Sequence, residues 1–138
     1  MARFFTADEA NAALADVRPL VERMVAHRRA MLAAEAKEEA LGARIAGNGG
    51  AIDPGEPARA AEAVATEGQA IAEIVDDLAE LGVQVKDLDT GLVDFPALRD
   101  GEEVLLCWRL GEDEVGWWHR IEDGFAGRRP LPLEDDGS

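Results

Sequence analysis

Between Ala13 and Ile45, ten positions follow one another in alternating steps of four and three: Ala13, Val17, Leu20, Met24, His27, Met31, Ala34, Glu38, Leu41 and Ile45. Eight of the ten are apolar. Such a spacing keeps one stripe on one side of an α-helix, whereas a strand would turn alternate residues to opposite faces. The stretch therefore reads as a long helix with a seam of coiled-coil type, widened by Leu14, Val21 and Leu32. Thr6-Ala7-Asp8-Glu9 has the form of a capping box, so the helix is predicted to start near Ala7, with Phe5 stapled onto Ala10. Pro19 cannot donate to the carbonyl of Ala15. A kink is expected there, with a short first helix ending near Val17 as the alternative; the unbroken phase of the seam favours the kink.

Gly47-Asn48-Gly49-Gly50 is expected to stop this helix at the tip of a hairpin. Asp53-Pro54-Gly55-Glu56 offers the next start, although Pro57 would serve as well. Ala60, Val64, Ile71, Ile74, Val75, Leu78 and Leu81 then share one side of a second helix, closed by Gly82. Beyond it the period becomes that of strands: Val83 to Lys86, Leu92 to Leu98 with Pro96 inside, Glu103 to Leu110, and Val115 to Ile121. Asp89-Thr90-Gly91, Asp100-Gly101 and Gly111-Glu112-Asp113 supply the turns. The predicted fold is α+β, a long antiparallel helical hairpin over residues 7–81 followed by a small four-stranded antiparallel β-meander over 83–121. Length places residues 1–132 in one domain, with 133–138 as a disordered acidic tail.

Charge removes several classes of partner. Fourteen Lys and Arg stand against 29 Asp and Glu, a formal charge of −15. A field of that sign repels phosphate backbones and anionic headgroups, so neither nucleic acid nor a membrane surface is an expected partner. No apolar run reaches the roughly 20 residues of a membrane span. A single cysteine permits no disulfide within the chain, which fits the cytoplasm.

Most of the distinctive chemistry lies between Glu102 and Leu131. Trp108, Trp117 and Trp118 are there, as core of the sheet or as a partner-binding surface. So are Cys107 and His119, soft ligands suited to a transition metal or haem. Hairpin register decides whether those two meet: pairing Leu110 with Val115 puts them on opposite faces, pairing it with Glu114 puts them on one. Arg128 and Arg129 follow Gly124-Phe125-Ala126-Gly127 and, with Arg109, either receive a carboxylate or phosphate or pair with Glu122 and Asp123. Asp89-Thr90-Gly91 carries the aspartic-protease triplet, but Leu92 follows where a small residue is usual, and a tight turn explains it. Asp87-x-Asp89-x-Gly91 lacks the remaining ligands of a calcium loop. His27, between Met24 and Met31, either sets helix register or lies solvated at the rim.

The segments LGVQVKDLDTGLVDFPALRDGEEVLLCWRLGE and WWHRIEDGFAGRRPL, with FFTADEANAALADVRPLVERM at the start, closely resemble a bacterial family known as domain of unknown function 2203. That resemblance implies no activity and supplies no catalytic residues. From the residues themselves the leading expectation is a non-enzymatic, self-associating module. Two hairpins would pair as a homodimer through Val17, Leu20, Met24, His27 and Met31, with a possible protein partner on the tryptophan side. No cofactor is required by that reading. The alternative is a metal- or haem-binding protein that uses Cys107 and His119. An enzyme ranks last, since no nucleophile with a matched base stands out.

Overall fold

The computed structural model describes residues 3–48 and 53–133. Helix α1 spans Ala7–Asn48, about 60 Å at roughly 1.5 Å per residue. The capping box forms as its residues predict. The Thr6 amide donates to Glu9 Oε1 at 2.8 Å, and the Glu9 amide donates to Thr6 Oγ1 at 3.0 Å. Phe5 and Ala10 are both buried beside it. The helix passes through Pro19 without ending, so the short first helix does not form. Pro19 and Ala15 are exposed, which leaves the carbonyl that lost its donor on the watered side.

Helix α2 spans Glu56–Glu80 and takes the later of the two offered starts, with Gly55 as N-cap and Pro57 in its first turn. Asp53 accepts from the Gly55 amide at 3.0 Å and from Arg59 at 2.7 Å. Gly82 ends the hairpin at φ 89°, a conformation that favours glycine. The predicted tip glycines Gly49 and Gly50 lie outside the described residues, and so does the predicted acidic tail from Glu134 on. Leu133 packs against the core.

Five strands follow where four were expected: β1 (Gln84–Asp87), β2 (Leu92–Arg99), β3 (Glu102–Arg109), β4 (Trp117–Arg120) and β5 (Arg129–Pro130). They form an antiparallel sheet in sequence order. Two residues are too few to leave a periodic signal, so β5 was not visible in the sequence. The β2–β3 hairpin turns on Asp100 and Gly101, at φ 51° and 81°, the positive pair that such a two-residue turn needs. Pro96 sits past the end of β1, where its carbonyl accepts from the Phe5 amide at 2.7 Å. No ladder bond is asked of its missing N–H there.

One continuous core joins hairpin and sheet. Val93, Phe95, Ala97, Val104, Leu106, Trp108 and Trp118 meet Leu14, Val17, Val21 and Met24 of α1 and Ile71, Ile74 and Leu78 of α2. Burying each large side chain stabilises the fold by about 1.5–3 kcal/mol. Asn11 ties α1 to the loop before β4, accepting from the Val115 amide at 2.7 Å and donating to the Val115 carbonyl at 3.2 Å. Leu41 and Ala60 are buried farther out along the hairpin but stand outside this core. No helix among the described residues is long and apolar enough to cross a membrane.

Candidate metal centre

Strand alternation that sends Val93, Phe95, Val104, Leu106 and Trp108 into the core sends their neighbours to the outer face of the sheet. Register then decides which of those neighbours meet. β3 and β4 pair Leu105 with His119 and Cys107 with Trp117, the phase in which Cys107 and His119 share a face. β2 and β3 pair Asp94 directly with Cys107. Three adjacent strands therefore bring a carboxylate, a thiol and an imidazole together, and one ligating atom from each lies within 4.8 Å of the other two. Their residues are 2%, 0% and 4% exposed.

Hydrogen bonding defines what this cluster lacks. His119 Nδ1 stands 2.8 Å from the Arg120 carbonyl; a carbonyl only accepts, so Nδ1 carries the proton and donates. In the neutral ring Nε2 then presents a lone pair, and it faces Asp94 Oδ2 at 3.2 Å. Two acceptors cannot face each other so closely unless a proton or a cation lies between them. Asp94 Oδ1 is buried with no hydrogen-bond partner, an arrangement that costs about 1–3 kcal/mol. Burial pushes the Asp94 carboxyl above its ordinary pKa, against the pull of His119, Lys86 and Cys107. Burial also pushes the Cys107 thiol up to about 12, with the Asp94 charge adding to the effect.

A cysteine, a histidine and an aspartate also compose the triads of thiol hydrolases, but here the connections run in another order. One imidazole nitrogen donates to backbone and the other faces Asp94, so neither remains to take a proton from Cys107. A thiol held near 12 is moreover a poor nucleophile at neutral pH. A divalent cation held by Asp94, Cys107 and His119 would remove each difficulty: it would replace the thiol proton, engage the Nε2 lone pair and give the orphaned carboxylate a partner. Tetrahedral zinc, at about 2.0–2.3 Å from N, O and S ligands, spaces those ligands at roughly 3.3–3.8 Å. The Asp94–His119 separation of 3.2 Å is already close to that spacing, and one ligating atom of each of the three residues lies within 4.8 Å of the others. The backbone bond of His119 is the outer hydrogen bond that metal-binding histidines characteristically make.

A cavity of about 220 Å³ opens onto Asp94 and His119 from outside the sheet, lined also by Lys86, Leu92, Leu105, Ile121, Gly124 and Phe125. Phe125 lies in a short 3-10 turn, Phe125–Gly127. Arg109 and Arg128 lie over its ring, at 5.4 and 4.7 Å. This space is below the roughly 300–1,000 Å³ of pockets for larger organic ligands. All three ligating groups also rise from one side, which suits an ion and leaves no room for a porphyrin between Cys107 and His119. Clefts of about 360 Å³ beside Arg3 and Gln84, and of about 350 Å³ beside Arg18 and Glu112, are larger but bring together no comparable set of ligating atoms.

The other sequence candidates fall elsewhere. Val17 and Met24 are fully buried within the chain, while Leu20, His27 and Met31 are partly covered. His27 pairs with Glu67 at 2.5 Å, which ties α1 to α2. Trp108 and Trp118 belong to the core, and Trp117 lies on the outer face. Trp108 donates to the Glu112 carbonyl at 3.0 Å. Arg128 does not pair with Glu122 or Asp123: it reaches both carboxylate oxygens of Glu112, at 3.1 and 3.0 Å, and stacks over Trp117 at 4.6 Å. Arg129 lies over Trp118 at 5.5 Å. Asp89-Thr90-Gly91 is a turn, with Thr90 donating to Asp87 at 2.6 Å and Arg28 to Asp89 at 2.8 Å.

Sequence reasoning missed Asp94 and Lys86. The available signal was a lone carboxylate inside the apolar strand Leu92-Val93-Asp94-Phe95-Pro96-Ala97, an expensive residue to bury without a purpose. Comparison with known proteins adds no chemistry, for no curated protein and no solved structure matches the chain. Residues 3–131 match a family described as an uncharacterized conserved protein, DUF2203, and the chain belongs to that family.

Proposed function

We propose that this protein binds one divalent transition-metal ion, zinc being the type, through Asp94, Cys107 and His119. The observation that carries this reading is the convergence of three different buried ligating atoms within 4.8 Å of one another, with one oxygen of the Asp94 carboxylate left without a hydrogen-bond partner. Mixed N, O and S donors suit a borderline ion better than magnesium or calcium, which prefer oxygen alone. Three protein ligands with a cavity on the fourth side resemble an open site more than a closed structural one.

The test is titration of chelator-treated full-length protein with Co²⁺ and Zn²⁺. One equivalent per chain is expected, with a thiolate-to-cobalt charge-transfer band. Cys107→Ser should remove that band, and Asp94→Asn or His119→Ala should weaken binding by at least about 100-fold. Absence of stoichiometric binding, or binding indifferent to all three substitutions, would sink the reading.

Self-association is a second reading, favoured by Leu32 and Ile45, which are 43% and 54% exposed on the hairpin. Thirteen residues apart, they face different sides of α1, and a second copy packed against the hairpin would cover apolar area at either position. Met24 already fills the chain's own core, so Met24→Asp would unfold the chain whether or not it dimerises. Sedimentation of the Leu32→Lys, Ile45→Lys double variant separates the cases: a dimer converted to a folded monomer supports this reading, and an unchanged mass removes it.

A further inference from the structure

All three proposed metal ligands rise from β2, β3 and β4, so an ion held there would have no ligand among the described residues on the side turned away from the sheet. That side meets the 220 Å³ cavity. Its charge is the first constraint. A divalent ion held by one carboxylate, one thiolate and a neutral imidazole is neutral as a unit. Among the described residues that line the cavity, Lys86 is the one ionisable residue besides Asp94 and His119, and Glu112 and Arg128 neutralise each other. The assembled pocket thus carries about one positive charge. It sits in a chain of formal charge −15, whose field resists multiply charged anions more than singly charged ones.

Lining and size narrow the class further. Leu92, Leu105, Ile121 and Phe125 offer an apolar wall, and Ile121 and Phe125 stand 54% and 37% exposed. The space, about 220 Å³ and open on one side, suits the small end of organic ligands. A hydrated inorganic ion would leave that wall unused.

Resting on the metal reading above, we propose that the fourth coordination position takes a short-chain aliphatic monocarboxylate. Its carboxylate binds the ion and pairs with the Lys86 ammonium, and its alkyl end packs against Leu92, Leu105, Ile121 and Phe125. Lys86 acts as a selectivity residue, because the ion alone would accept water or hydroxide equally well.

The experiment uses full-length Co²⁺-loaded protein titrated with acetate, butyrate and phosphate, with the visible ligand-field spectrum as readout. Butyrate is expected to change that spectrum saturably while the thiolate band persists. It should bind about 10-fold tighter than acetate, from two more buried methylenes, and tighter than phosphate. Lys86→Met should weaken butyrate at least about 10-fold and leave the thiolate band in place. Phe125→Ser should reduce the preference for butyrate over acetate. A Co²⁺ spectrum indifferent to butyrate, equal affinity for acetate and butyrate, or an unaffected Lys86→Met variant overturns the carboxylate site while leaving the metal reading intact. Failure of Co²⁺ to produce the thiolate band overturns both.

Discussion

Burial penalises the Asp94 carboxylate, and His119, Lys86 and Cys107 offset part of that cost. Asp94 is 2% exposed, and Oδ1 is unsatisfied. Asparagine at this position carries no charge to desolvate, and its amide can donate to His119 Nε2, so in metal-free protein Asp94→Asn should stabilise the fold by about 1–2 kcal/mol, a few degrees in Tm, although most buried substitutions do the reverse. Excess Zn²⁺ should raise the Tm of the native chain by mass action and raise that of the variant much less. Calorimetry with and without zinc reads both effects, and a variant that is less stable without metal would mean that Asp94 is a satisfied structural residue. Cys107 gives a complementary expectation. Fully buried and held as a thiol near 12, it should resist alkylation in native metal-free protein and react only on unfolding; rapid labelling would contradict its placement. At this scale the sequence was least informative. Cys107 and His119 stood out by rarity, but whether they meet depends on a one-residue choice of register, and Asp94 is one acid among many until its strand is paired.

Elements were far more legible, because their ends are written in local chemistry. Three carboxylates held below their ordinary pKa mark three such ends. Backbone and hydroxyl bonds from Thr6 lower Glu9 at the start of α1. The Gly55 amide, with Arg59, lowers Asp53 before α2. The Thr90 hydroxyl, with the Asp89 amide, lowers Asp87 in the β1–β2 turn. A depressed carboxylate gives stability that is present above its unfolded value, near 3.9 for Asp and 4.3 for Glu, and lost as pH falls through the lower folded value. Acid should thus loosen these ends as pH drops below about 4, and Glu9→Gln should remove that pH dependence from the Thr6 amide in NMR titration. Thr6→Ala should cost about 1 kcal/mol through loss of the cap; an unchanged Tm would show that the box contributes little beside Phe5. The turn before β2 carries a sharper constraint. A Cβ on Gly91, at φ 70°, would lie 2.8 Å from Val21 Cγ1, 2.9 Å from Leu110 Cβ and 3.0 Å from Val25 Cγ2. Gly91→Ala should cost about 2–4 kcal/mol from overpacking and backbone strain together, measurable by urea denaturation. Its Asp-Thr-Gly context suggested a turn, but the packing against α1 is a long-range fact that no local pattern contains.

Across the whole molecule, stability is concentrated at one end. The core cluster takes in α1 only as far as Val25, with Met31 packed against its edge, and α2 only from Ile71 onward. Beyond it, Leu41 and Ala60 are buried and most other described side chains of the hairpin are exposed. The heptad seam in the sequence runs evenly from Ala13 to Ile45, so it could not reveal this division; only the position of the sheet, against the proximal half, creates it. Helical propensity alone holds a helix weakly. Hydrogen exchange should therefore separate two classes of amide. Those from Leu14 to Val25, Ile71 to Leu78 and Val104 to Trp108 should exchange only on global unfolding, while those from Glu35 to Ile45 and Arg59 to Thr66 should open locally at lower free energy. The Asp94, Cys107 and His119 cluster lies on the far side of the sheet from α1 and α2, so zinc bound at the proposed site should slow exchange in β2, β3 and β4 and leave the distal hairpin unchanged. If the distal amides instead exchanged only with the core, at the same rate and denaturant dependence, something other than this chain's own core would have to be covering them. The exposed Leu32 and Ile45 would then be the first place to look for a second copy.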